Sequence, residues 1–176
     1  MTCTATCAAS SALRGRKVGG RLSAQAIVLR DAVIPIVRLR DLPRPLVVYF
    51  YPKDDTSGCT AESCSLSENI KSFNKLGVAI VGISKCSVKK HDKFKAKYDL
   101  QFPLASDEEG DVCERYGVWV QKSMYGRKYM GIDRSTFLIG PDGKIAGAWR
   151  KVKVPGHADA TVLRRTLDHE LDGAPA

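Results

Sequence analysis

Along the chain, apolar residues first cluster at LVVYFY (46–51), a nearly unbroken run of β-branched and aromatic side chains. A run without polar alternation marks a strand covered on both faces, so it predicts a central strand. VAIVGIS (78–84) repeats the pattern, and FPLAS (102–106) gives a shorter third strand. Between the first two the period changes. Leu66, Ile70, Phe73 and Leu76 recur at helical spacing and Gly77 follows, which predicts a helix over 60–76 with a glycine stop. Ser87 can cap a basic helix, VKKHDKFKAKY, and EEGDVCERYG predicts a short helix ended by Gly117. STFLIG, PDGK and KIAGAWR read as an antiparallel hairpin, and ATVLRRTLDHEL as a closing helix. Near the start, AIVL (26–29) and IVRL (36–39) read as a hairpin of short strands whose turn carries Pro35. Strand–helix–strand units followed by a hairpin and a last helix predict an α/β fold with a mixed sheet.

Composition changes this picture little. A chain of 176 residues, 44% hydrophobic and 27% charged, suits one domain around one core. No apolar run approaches bilayer length, so no membrane span is expected. Residues 1–23 carry Ser, Ala and Arg with no acid before Asp31, and read as a disordered tail or a targeting extension. The domain is expected over 24–170, with a flexible tail at 171–176. Cys3 and Cys7 then count as adventitious tail thiols. Six cysteines are too sparse for a disulfide-stapled secreted scaffold, and a reducing compartment fits better. A bacterial cytoplasm is the favoured location, with an organelle the alternative if 1–23 is a cleaved transit peptide. The net charge of +9 is spread along the chain without the aromatic interleaving of a base-stacking surface, which favours a solvated basic face over nucleic-acid binding.

The chemistry concentrates in YPKDDTSGCTAESC (51–64), where a buried strand runs into a helix. Backbone N–H groups at a helix start lack partners and the dipole is positive there, so a thiolate on Cys59 is favoured over the thiol. The thiolate is the nucleophile. Cys64 lies five residues on, about 7.5 Å of rise along an intact helix and roughly 8 to 9 Å between α-carbons. A disulfide closes over at most about 7 Å, so the two thiols join only if the first turns unwind. Otherwise Cys64 faces the core as a small hydrophobe.

P-K-D-D-T-S-G-C, with Pro52, Thr56 and Cys59 at offsets of four and three, followed by T-A-E-S-C, resembles the active-site signature of the peroxiredoxins. GVAIVGIS, FPLASD, VCERYGV, MYGRKYMGIDRSTFLIGPDGKI and AWRKVKVPGHAD are similar to the bacterioferritin comigratory protein or peroxiredoxin Q branch in order and spacing, over roughly residues 24 to 168. The resemblance implies a thioredoxin-like α/β fold, a central mixed sheet flanked by helices behind an N-terminal hairpin. It implies a thiol peroxidase without metal or cofactor, acting on hydrogen peroxide and organic hydroperoxides in antioxidant defence. Cys59 would be the peroxidatic cysteine, and Thr56 would bond the thiolate and the peroxide. Pro52 would shield the pocket, and Arg134 would hold the thiolate and stabilise the departing oxygen. Cys64 would resolve the sulfenic acid as an intramolecular disulfide, reopened by thioredoxin, with glutaredoxin the second choice. Some relatives carry the resolving thiol on the next helix, where this chain has Lys95. Cys86 is therefore the second candidate, and Cys113 reads as core. Glu62 is either a first-turn acid suited to the dipole or a group orienting Arg134. The branch is often monomeric, with a weak dimer the alternative.

The chain also departs from the family. A-Q-A-I-V-L stands where an Ala-Pro pair and a Phe are usual, and Pro43 and Arg44 where a Gly-Lys turn is usual. Rival readings are a thiol-disulfide sensing module on the same fold and a basic nucleic-acid scaffold. A zinc protein is a third, weakened because Cys59 and Cys64 have no matching second pair and His91, His157 and His169 are scattered.

Overall fold

A computed structural model describes residues 28–29 and 37–162. β1 (Val28–Leu29) pairs antiparallel with β2 (Val37–Arg38), as the expected hairpin requires; the turn with Pro35 lies outside the described residues. The order continues through β3 (Leu46–Phe50), α1 (Ser57–Glu68), α2 (Ile70–Lys75), β4 (Ala79–Ser84), α3 (Val88–Tyr98), β5 (Leu104–Ser106) and α4 (Val112–Arg115). β6 (Trp119–Met124), β7 (Arg127–Ile132), β8 (Ser135–Ile139) and β9 (Ile145–Arg150) follow, and 157–162 are helical. The tails expected at 1–23 and 171–176, and the closing helix beyond Val162, lie outside the described residues.

The main sheet has the order β5-β4-β3-β8-β9. β3 and β5 run parallel to β4, while β8 runs antiparallel to both β3 and β9, so the sheet is mixed and β3 is central. Every residue of β3 is buried. Leu46, Val48 and Phe50 feed one hydrophobic cluster with Ile83, Phe137 and Tyr116; Val47 and Tyr49 feed the other with Leu66, Phe73 and Phe94. That two-sided burial is why the sequence shows no alternation there. Opposite Tyr49 stands Gly82, where an added Cβ would lie 2.7 Å from the tyrosine ring and from Leu104. The missing side chain lets the Tyr49 ring cross the neighbouring strand towards α1.

Two expectations need correction. The single helix over 60–76 starts at Ser57 and is two helices, broken at Asn69. There the side-chain amide Nδ2 donates to the Ser65 carbonyl at 3.0 Å beside the backbone N–H at 3.2 Å, a local side-chain bond that competes with helix continuation. Leu66 on α1 and Phe73 on α2 still reach one cluster, so the apolar spacing survives the break. The second correction is the separate two-stranded ribbon of β6 and β7, unforeseen from the sequence. Most of its residues are exposed on both faces, so no apolar alternation announces it. Ser87 does occupy the cap position of α3, without a side-chain cap bond.

Candidate active site

Strand register assembles the site. β3 ends at Phe50, opposite Ile83 on one side and Ser135 on the other. Because β8 is antiparallel to β3, Arg134 emerges beside the point where the chain leaves the sheet for the loop 51–56. That loop enters α1 with Thr56 as N-cap; the Thr60 N–H donates to the Thr56 carbonyl at 2.8 Å, and Cys59 falls in the unpartnered first turn.

Cys59 is 1% exposed. Arg134 Nη2 donates to its Sγ at 3.3 Å, and Nη1 donates to the Gly58 carbonyl at 3.5 Å and to Glu62 Oε2. One planar guanidinium thus bridges the sulfur, a backbone carbonyl and a carboxylate, a fork that lysine cannot reproduce. Glu62 is 2% exposed and its Oε1 has no partner. Burial pushes its carboxyl up to about 7, against the pull of Arg134. Of the two readings left open for Glu62, the geometry is that of a group holding Arg134. Gly58 belongs to the same fit, since a Cβ there would lie 3.2 Å from Nη2.

Thr56 and Pro52 are both exposed. The Thr56 hydroxyl donates to the Lys53 carbonyl at 3.2 Å. Cys64 is a partly exposed free thiol on α1, and burial together with the Glu68 carboxylate pushes it up. Cys86 is buried just after β4, pushed up by burial, and accepts the Asp54 N–H at 3.4 Å. Cys113 lies fully buried in the core, as its place in the sequence suggested.

The structure adds groups around the site that sequence reasoning passed over. The Tyr51 hydroxyl donates to Asp54 Oδ1 at 2.8 Å, and the Asp54 carboxylate faces His91 Nδ1 at 2.9 and 3.0 Å. Asp55 accepts from Lys97 Nζ at 2.7 and 2.8 Å and from the Tyr98 hydroxyl at 2.6 Å. The two aspartates of the KDD string therefore moor the loop to α3. A signal for His91 existed in the spacing His91, Phe94, Tyr98, which puts the histidine on the buried stripe of an otherwise basic helix. Beneath α1, the Tyr49 hydroxyl and Ser63 Oγ are 3.0 Å apart. His157, bonded through Nε2 to Thr136 Oγ1 at 2.7 Å, is held below the ordinary imidazole range by burial and by the charge of Arg134. Among the described residues no group of three or more His, Cys, Asp or Glu side chains is placed to hold a metal ion, and no helix is long and apolar enough to cross a membrane.

The chain that places a buried cysteine in the first turn of α1, with an arginine on its sulfur, also matches known proteins. The AhpC/TSA family model matches residues 22–148. This chain is a peroxiredoxin of the AhpC/TSA family. Peroxiredoxin Bcp of Xanthomonas campestris is 50% identical over 117 residues, covering 66% of this chain and 73% of the relative. Peroxiredoxin Bcp of Escherichia coli is 44% identical over 124 residues, covering 70% and 79%. Among solved structures, the Xanthomonas campestris bacterioferritin comigratory protein, studied as trapped-intermediate and ligand complexes for its alkyl peroxide reduction, superposes with a TM-score of 0.77 at 42% identity, covering 82% of this chain and 93% of that one. A Cys-to-Ser variant of Xylella fastidiosa PrxQ gives 0.80 at 37% identity, covering 88% and 98%. The thioredoxin-like fold and the antioxidant peroxidase class expected from the sequence hold for this peroxiredoxin, which is a thiol-dependent oxidoreductase.

Proposed function

We propose that this peroxiredoxin reduces hydrogen peroxide and organic hydroperoxides through Cys59, resolves the product with Cys64, and is recycled by thioredoxin. The observation that carries the reading is Arg134 Nη2 at 3.3 Å from the Cys59 sulfur in the first turn of α1. A guanidinium there is a charged donor aimed at the reacting sulfur, and the thiolate is the nucleophilic form. The thiolate attacks the peroxide oxygen distal to R. The O–O bond breaks, Cys59 becomes a sulfenic acid, and the alkoxide leaves, taking a proton from water to become the alcohol; with hydrogen peroxide the product is water. Charge develops on that departing oxygen, where Arg134 donates. The Thr56 hydroxyl, already donating to the Lys53 carbonyl, keeps its lone pairs to accept from the peroxide O–H. Pro52, exposed in the loop before α1, brings no competing N–H. An alkyl substrate is supported by the structurally similar Xanthomonas protein.

Cys64 cannot complete the cycle while α1 is intact. Five residues of helix separate the sulfurs, and burial with Glu68 keeps its thiol protonated. Unwinding of the first turns removes both obstacles. The Cys64 thiolate then attacks the sulfenic sulfur, a disulfide forms and hydroxide leaves as water. A dithiol reductant restores both thiols and is itself oxidised to a disulfide. The experiment is Cys64→Ser, assayed for NADPH-linked turnover with thioredoxin and its reductase and for a single-turnover peroxide burst. The burst is expected to survive and turnover to collapse. Persisting turnover would pass the resolving role to Cys86 or to an external thiol.

A further inference from the structure

The large apolar side chains that stand exposed among the described residues are Met124, Tyr125, Tyr129 and Met130, and all four lie on the β6–β7 ribbon. The same ribbon has no Asp or Glu from Trp119 to Ile132, while Lys122, Arg127 and Lys128 project from it. Cross-strand register puts Lys122 opposite Tyr129 and Met124 opposite Arg127, so one face carries two apolar side chains each beside a cation. Gly131 keeps that face low: an added Cβ would lie 3.2 Å from the Tyr129 ring and 3.6 Å from Lys122 Cδ.

The tip is built against its own stability. The turn runs through Tyr125 at φ 51° and Gly126 at φ 78°, a pair of left-handed conformations in which asparagine before glycine is favoured and a bulky residue is an outlier. Tyr125 is 96% exposed, so nothing within the fold compensates for its conformation. The base of the ribbon is tied to the active site. Lys122 Nζ donates to the Ile132 carbonyl at 2.6 Å, the Asp133 N–H donates to Val118 O at 2.7 Å, and the next residue is Arg134.

We infer that the β6–β7 ribbon is the surface on which the acidic dithiol reductant docks, its Met and Tyr side chains meeting an apolar patch on the reductant and its cations meeting surrounding carboxylates. The inference rests on the thioredoxin recycling proposed above and deepens it. Charge complementarity selects the partner: a second copy of this chain would set the Lys122 and Arg127 cations of this face against the same two, with Lys128 on the other face adding to the repulsion, whereas an acidic protein is attracted to the ribbon. Apolar side chains ringed by charge are the composition of a transient protein interface, and the base of the ribbon runs directly into Arg134, the residue on the Cys59 sulfur.

The test compares the wild type, Arg127→Glu/Lys128→Glu and Tyr125→Asn in four assays: turnover with a thioredoxin of net negative charge, turnover with dithiothreitol, the peroxide burst, and binding to a DNA duplex and to phosphatidylglycerol vesicles. The KM for thioredoxin is expected to rise about tenfold in the charge-reversed variant and to lose its dependence on salt, with burst and dithiothreitol turnover unchanged. Tyr125→Asn is expected to raise KM while melting at or above the wild-type temperature, which a merely structural tyrosine would not do. An unchanged KM overturns the ribbon assignment alone, and a burst that falls in parallel overturns it in favour of a substrate role. Loss of binding to a DNA duplex or to phosphatidylglycerol vesicles, with KM unchanged, overturns it in favour of those partners. A wild type not reduced by thioredoxin at all overturns the recycling proposal together with this one.

Discussion

Arg134 touches three groups at once, and its shape matters as much as its charge. Arg134→Lys keeps the cation but gives up simultaneous contact with Cys59 and Glu62. The peroxide burst of that variant is expected to slow about a hundredfold, the scale of losing one oxyanion donor, as stopped-flow fluorescence would measure. Glu62 supplies a pH signature. Its folded carboxyl sits at about 7, above the ordinary 4.5, so between those values the folded chain keeps a proton that the unfolded chain releases. Stability therefore falls as pH rises through this window, and the cost, on the order of a few kcal/mol, is complete above about 7. Urea midpoints of the wild type are expected to drop between pH 5 and 7.5, and those of Glu62→Gln to stay nearly level; equal slopes would refute the assignment. Cys59 stood out by its place at a helix start, and the family resemblance pointed to Thr56, Pro52 and Arg134; of these, the structure puts the Arg134 guanidinium on the Cys59 sulfur. The grip of Glu62 on Arg134 was not legible, because an acid three residues after Cys59 reads equally well as a partner of the helix dipole, and its arginine lies 72 residues away.

At the scale of elements, α1 is a helix written in weak helix formers. SGCTAESCSLSE contains four serines, two cysteines, a threonine and a glycine, has no acidic residue in its first turn and no basic one in its last. Tertiary burial of Leu66 and Ser63, and the contacts of Glu62, hold it in place more than propensity does. Such a helix is suited to opening. Thr60→Ala with Ser65→Ala should add about 1 kcal/mol of helix propensity. In the proposed cycle the disulfide forms only from the unwound state, so its formation is expected to slow about fivefold while the burst stays constant, a split that rapid-quench mass spectrometry would read. A disulfide rate that does not change would mean that α1 need not open. Legibility follows burial in the same way. β3, β4 and β8 were readable because the core covers them, and the break at Asn69 was hidden because Leu66 and Phe73 kept one apolar spacing across it. The β6–β7 ribbon, wet on both faces, left no periodic trace.

Across the whole molecule, the site depends on a second long-range connection, between the loop 51–56 and α3. The loop 51–56 is held to α3 by Asp54 on His91 and by Asp55 on Lys97 and Tyr98, and Asp54 also donates its N–H to Cys86 after β4. The exposed Lys97 pair is worth little by itself. The buried pair differs: His91 is 3% exposed, its Nε2 has no partner, and burial leaves Asp54 few alternatives to the imidazole and Tyr51. Removing one partner of such a pair strands the other. His91→Leu is therefore expected to destabilise the fold by about 3 kcal/mol and, by loosening the loop that carries Pro52 and Thr56, to slow the peroxide burst. Asp54→Asn in the same background removes the stranded charge and should recover part of the stability, leaving a non-additive double-mutant cycle. Recovery of stability without recovery of the burst would locate the functional role in the mooring itself, since the asparagine relieves the buried charge but does not rebuild the bond to α3. Additive effects, measured by thermal unfolding, would refute the connection between the loop and α3.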